Sequence, residues 1–263
     1  MMKQFEDPPE TAEGVCRDPV GSDLSEVDCP APEAAGDKGA KPDGKVSIFT
    51  LGHLDIRQNG RSVLPQRKLP RKPVALLLLL IANGVQGSRR EALVECLWPG
   101  DDRADASRLK VALHRLRQLM GDSAAILSHA SAIRINADRV TVDAWELEQL
   151  ASSGLDPEAS PRRALALYAG PFVADIAADP SLLIYQQHLE GRFDAAMLTG
   201  MQALVEAGKA HEALECALQG LMRMPSGGQL LPAAMEIARR LGRTTSMAAL
   251  EAFASVQDGE TAP

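Results

Sequence analysis

The chain has 263 residues, enough for two modest domains or one large one, and 45% of them are hydrophobic, enough for real cores. Aromatics make up only 3%, which suits Ala- and Leu-rich helical packing and argues against a β-sandwich. A net charge of −7 would by itself argue against a nucleic-acid partner, but the charge is partitioned: residues 1–40 carry −7, residues 41–143 carry +7 and residues 144–263 carry −7. A basic middle between acidic flanks is the mark of a polyanion-binding module joined to something else.

Residues 1–44 are rich in Asp, Glu, Pro, Gly and Ala, with Phe5 the only aromatic, and read as a disordered acidic tail. The opening MMKQFEDPPE has neither a basic stretch nor an apolar run, so no secretory leader is expected. From Lys45 the pattern alternates through VSIFTLG, HLDIRQNG and RSVL. Asn59-Gly60 between short apolar runs signals a hairpin, so a small antiparallel sheet is expected over 45–64.

Basic residues Arg67, Lys68, Arg71 and Lys72 lead into a first helix predicted over 73–82, with Pro73 at its first position and Asn83-Gly84 as its stop. Val74 to Ala82 is apolar nearly all round, so this helix belongs in a core. Its nine apolar residues fall far short of the roughly 20 that span a bilayer, and no membrane partner is expected. A second helix is predicted to open on a capping box, Ser88-Arg89-Arg90-Glu91, and to end at Leu97 or Trp98 before Pro99-Gly100. A third is predicted over 103–120, with Asp101 or Asp102 as cap. Residues 125–128 and 132–135 read as a hairpin turning at 129–131, and 139–142 as an edge strand. Beyond Asp143 helices are expected near 143–153, 160–168, 181–206, 209–223, 227–241 and 244–256, with a disordered end at 257–263. Gly208 and Gly242 lie 34 residues apart in equivalent turns, the period of tetratricopeptide (TPR) repeats.

The third helix has two distinct faces. Leu109, Leu113, Leu116 and Met120 fall on one stripe, while Ser107, Arg108, Val111, His114 and Arg115 share the opposite surface. That surface suits a helix lying in a major groove: Arg115 can pair bidentately with guanine, and Ser107, Arg108, Val111 and His114 lie within reach of other base edges. Lys110 and Arg117 flank the stripe and suit phosphates, as do Arg71, Lys72, Arg89 and Arg90 near helix starts.

The stretches RKPVALLLLLIANG, SRREALVECLWPG, LKVALHRLRQLMGD, VTVDAWELEQL and LYAGPFVAD, together spanning about residues 46–254, resemble the SARP-type bacterial transcriptional activator domain regulators. The resemblance implies an OmpR-type winged helix-turn-helix at 45–143 and an all-α TPR-like activator domain at 144–256. It implies a cytoplasmic, sequence-specific regulator of transcription, an activator, that binds double-stranded DNA. It further implies contacts to RNA polymerase or partner proteins through the helical repeats, and pairing of two copies on repeated half-sites. The alternative is a TPR-type adaptor whose winged helix reads no DNA sequence.

No enzyme is expected. Paired carboxylates, a Ser/His/Asp order, metal-ligand spacing and a GxxxxGK[ST] phosphate loop do not stand out, so no cofactor or metal is implied. Cys16, Cys29, Cys96 and Cys216 form no CxxC, and Cys96 and Cys216 read as buried, inert thiols. Trp98 is expected at the end of the second helix and Trp145 where the two domains join.

Overall fold

The computed structural model describes residues 45–64, 69–101, 106–129, 132–150, 156–173, 179–224 and 226–260. The expectations for the acidic tail, Arg67 and Lys68, the Asp102 cap, Arg103 and the Ala130–Ser131 tip lie outside them. Two small sheets and three helices come first, and helices follow to the end.

β1 (Val46–Phe49) pairs antiparallel with β2 (Asp55–Gln58), which pairs with β3 (Arg61–Ser62). Asn59 and Gly60 turn the chain with positive φ of 53° and 77°, the conformation an Asn-Gly hairpin requires. α1 (Arg71–Ala82) begins two residues before Pro73, which therefore stands in the first turn rather than at its first position. Its residues 73–81 are all buried, as an all-round apolar sequence dictates. Asn83 keeps a right-handed conformation and Gly84, at φ 66°, makes the turn.

The expected capping box does not form. Ser88–Arg89 is a strand, β4, and α2 (Arg90–Leu97) starts after it with Arg89 in the cap position and no side-chain cap. The reason is tertiary: β4 pairs with β6 (Ala132–Ile135), so its backbone is satisfied by a neighbouring strand. β5 (Ile126–Ser128) completes this sheet and forms the expected hairpin with β6, with Ile126 opposite Ile135 and Ser128 opposite Ile133. β7 (Val140–Val142) is an edge strand, but of the first sheet, where it runs parallel to β1. α3 (Ala106–Met120), which lies in sequence between β4 and β5 of the second sheet, packs on α1 and α2.

α4 (Asp143–Leu150), α5 (Ser160–Leu167), α6 (Pro180–Glu206), α7 (Ala210–Leu221), α8 (Leu230–Arg240) and α9 (Thr244–Glu260) follow, and from α5 on each packs against the next. α9 continues four residues past the expected end at 256. The two equivalent turns share one hydrogen-bond pattern. Gly208 N donates to Val205 O and Lys209 N to Leu204 O; Gly242 N donates to Arg239 O and Arg243 N to Ala238 O. Both are Schellman closures on a glycine at positive φ.

The helices are joined to the strands by polar contacts as well as by the core. Gly52 N donates to Pro171 O and Val173 N to Thr50 O, so the end of β1 holds the segment after α5. Trp145, buried, donates its Nε1 proton to Ile81 O at 2.9 Å. Asp143, buried at the first position of α4, accepts from Thr50 N, Thr50 Oγ1, Leu51 N and Ala144 N at 2.8–3.0 Å. Burial pushes its pKa up, and these hydrogen bonds pull it back.

Candidate nucleic-acid interface

α3 is amphipathic as its sequence requires: Leu109, Ala112, Leu113, Leu116 and Met120 are buried, and Ser107, Arg108, Lys110, Val111, His114, Arg115 and Gln118 are exposed. Gly121, at φ 69°, ends it. Val111 is half exposed, at 50%, and its isopropyl group stands among polar neighbours rather than in the core. At 100° per residue, Ser107, Val111, His114 and Gln118 form the centre of the outer face. Arg108 and Arg115 lie on one side and Lys110 and Arg117 on the other. The five residues predicted to read bases are thus brought together on one exposed surface about two turns long.

The flanking cations divide by their surroundings. Arg108 Nη1 pairs with Asp101 Oδ2. Arg117 is half-buried, and its Nη2 donates to Ile126 O at 3.0 Å, which ties α3 to β5. Lys72 Nζ donates to Leu97 O and lies 5.7 Å from the centre of the Trp98 ring, so it closes the C-terminus of α2. Arg90 Nη2 donates to Ser128 Oγ at 2.6 Å and to His129 O at 3.1 Å, which fixes the end of β5 against the start of α2. Four of the predicted DNA-contacting cations therefore also hold the fold together. Arg71, Arg89, Lys110 and Arg115 are exposed, and among the described residues they have no side-chain partner.

Sequence reasoning missed these positioning roles. The signal was present only for Asp143, since an Asp at a helix start reads as a cap. It gave no hint that the same carboxylate would also hold Thr50 and Leu51. Cys96 also corrects an expectation: it is exposed, while Cys216 is buried. Partial desolvation and the neighbouring Asp179 carboxylate push the Cys96 thiol up to about 11, which leaves it protonated and unreactive at neutral pH. Among the described residues no His/Cys/Asp/Glu group could hold a metal ion. No described helix is long and apolar enough to cross a membrane.

Residues 142–259 match the bacterial transcriptional activator domain family. That match takes in a little under half of the chain. The match starts at the end of β7 and runs through α4 to α9, so the helices after β7 are the part of the chain that is similar to this domain. Such a domain belongs to transcription regulators of the SARP type. The fold is similar to that of Mycobacterium tuberculosis EmbR, solved in complex with a low-affinity phosphopeptide. The TM-score is 0.50 and the identity 16%, over 81% of this chain and 66% of that one. The chain thus spans just under two thirds of that protein. No curated protein matches it.

Proposed function

We propose that the chain is a sequence-specific DNA-binding transcriptional activator. In this reading residues 45–143 are a winged helix-turn-helix that places α3 in the major groove, with the β5–β6 hairpin as its wing. The TPR-like activator domain at 144–256 contacts RNA polymerase or partner proteins. The observation that carries the reading is the outer face of α3: polar, exposed and cationic, inside the only segment of the chain with positive net charge. Ser107, Arg108, Val111, His114 and Arg115 read base edges. Lys110, Arg71 and Arg89 meet phosphates from exposed positions, and Lys72, Arg90 and Arg117 add charge nearby while holding the frame.

Mobility shift of the full chain on a random duplex pool, repeated across a salt series, tests this. A regulator enriches one sequence, and its log affinity falls with log salt at about −0.9 per neutralised phosphate. A chain that retains no duplex at low salt is the adaptor instead. Arg115→Ala is expected to lower discrimination at one base position by about 1–3 kcal/mol, roughly 5- to 150-fold, and to leave binding to other sequences nearly unchanged. Arg117→Ala is expected to weaken all sequences alike. It also lowers the unfolding free energy by about 1–3 kcal/mol, because Ile126 O loses its donor. Identical sequence profiles for the two variants would show that Arg115 reads no base.

A further inference from the structure

The turn after α2 delivers a carboxylate to the outer face of α3. Gly100, at φ 70°, reverses the chain, and Asp101 N donates to Trp98 O at 3.2 Å. Trp98 is fixed in turn: its own N–H donates to Val94 O, and the Lys72 ammonium lies 5.7 Å from the centre of its ring. From this position Asp101 Oδ2 lies 2.5 Å from Nη1 of Arg108, seven residues further along and early in α3.

Folding does not explain this pair. Its two side chains are 43% and 39% exposed, and exposed ion pairs add little to stability. An acid beside a surface that meets phosphates also works against binding, because it repels the polyanion. Arg71, Arg89, Lys110 and Arg115, exposed cations of the same basic segment, have no side-chain partner among the described residues. A carboxylate set against one chosen arginine therefore bears on that arginine's orientation. A long, mobile side chain must be immobilised before its planar fork can match the O6 and N7 atoms of guanine, and a guanidinium already held by a carboxylate has lost part of that freedom before DNA arrives. The N-terminal residues of a recognition helix are the ones that contact base edges, and Arg108 stands among them.

We infer that Asp101 is a specificity-determining, positioning residue: it orients Arg108 toward one guanine and, by its own charge, disfavours duplexes that lack that base. The inference rests on the reading of α3 as a base-reading helix. On the matching sequence the bond from Arg108 to guanine offsets the repulsion between Asp101 and the DNA. On other sequences the repulsion stands alone. Asp101 thus widens the gap between specific and non-specific binding, which is specificity gained through a repulsive element beside an attractive one. Arg115, which has no carboxylate beside it among the described residues, discriminates through its attraction only.

Mobility shifts of the full chain on the duplex selected from a random pool, on its single-base variants and on unselected duplex test it. The proteins are wild type, Asp101→Asn, Arg108→Ala and the variant carrying both changes. Arg108→Ala identifies the base position that Arg108 reads. Asp101→Asn is expected to lose about 2- to 12-fold of the discrimination at that same position, the worth of one immobilised side chain, and to bind unselected duplex more tightly than wild type. The double variant is expected to discriminate there no worse than Arg108→Ala, and the position read by Arg115 to keep its wild-type preference in Asp101→Asn. The thermal midpoint of Asp101→Asn is expected to move by no more than about 4 °C, as suits an exposed pair. Asp101→Asn that discriminates like wild type, that loses discrimination at a position Arg108→Ala leaves unchanged, or that weakens every duplex alike would overturn the inference and leave α3 a base-reading helix. Arg108→Ala that changes no position would overturn it too. Wild type that enriches no sequence would instead overturn the reading of α3 and this inference with it, so the two failures are distinguishable.

Discussion

Asp143→Ala is expected to lower the unfolding free energy by about 3–5 kcal/mol, the range of removing one partner from a buried hydrogen-bonded network. The carboxylate is buried and accepts from two amides and a hydroxyl of the Thr50–Leu51 segment and from its own helix start. Alanine leaves those donors without acceptors in a site that water does not reach, and each orphan costs about 1–3 kcal/mol. Asp143→Asn keeps the volume but turns an amide NH2 toward N–H donors, so it is expected to recover less than half of the loss. Thr50→Val removes one donor and leaves the other bonds in place, and is expected to cost about 1–2 kcal/mol. Urea unfolding of the three variants ranks them. Because Asp143 joins the end of β1 to the start of the activator domain, its loss is also expected to make the strands and the helices unfold at different urea concentrations. A single transition in Asp143→Ala, with a midpoint close to wild type, would show that the core alone holds the two parts together.

The second large effect is expected at Gly87. Its φ of 71° and ψ of −161° lie in a region that only glycine occupies without strain. A Cβ there would sit 2.2 Å from Ile133 O and 2.5 Å from Arg134 Cβ, both part of β6. Backbone strain of about 1–3 kcal/mol and overpacking of about 1–3 kcal/mol both apply, so Gly87→Ala is expected to cost about 3–5 kcal/mol. Gly84→Ala is the control: φ is also positive, at 66°, but a Cβ there has open space, so only the strain of about 1 kcal/mol remains. Gly87 also sets the entry of β4 and hence the angle between α2 and the β5–β6 hairpin. Where Gly87→Ala still folds, its affinity for every duplex is expected to fall together, without a change in base preference. Mobility shifts at matched folded fractions measure this.

The contrast between these residues and α3 separates what was legible from what was not. The two faces of α3, the Asn59-Gly60 turn, the existence of the β5–β6 hairpin and the two glycine-closed turns near Gly208 and Gly242 could all be read from the sequence. Each is a local event in which periodicity or a single backbone requirement outweighs its surroundings. The failures are equally physical. Ser88 to Glu91 satisfies a capping box on paper, but pairing with β6 holds the backbone of Ser88 and Arg89 as a strand. Arg90, Lys72 and Arg117 resemble other basic residues in sequence. Only the positions of Ser128, Leu97 and Ile126 reveal that these three cations hold backbone and hydroxyl oxygens of their own fold.

The sequence by itself determined the basic segment between acidic flanks, the order of strands and helices apart from β4, the amphipathic α3 and the resemblance that the activator-domain match at 142–259 meets. All of these depend on charge composition and on periods of two or 3.6 residues, which neighbouring positions carry. Only the tertiary structure decided which cations stay exposed, that β7 crosses to run beside β1, and that Asp143 fastens the strands to the helices. Those outcomes rest on contacts between residues as much as 95 positions apart. No local pattern records which distant oxygen a guanidinium will meet, or which distant amide a carboxylate will accept from.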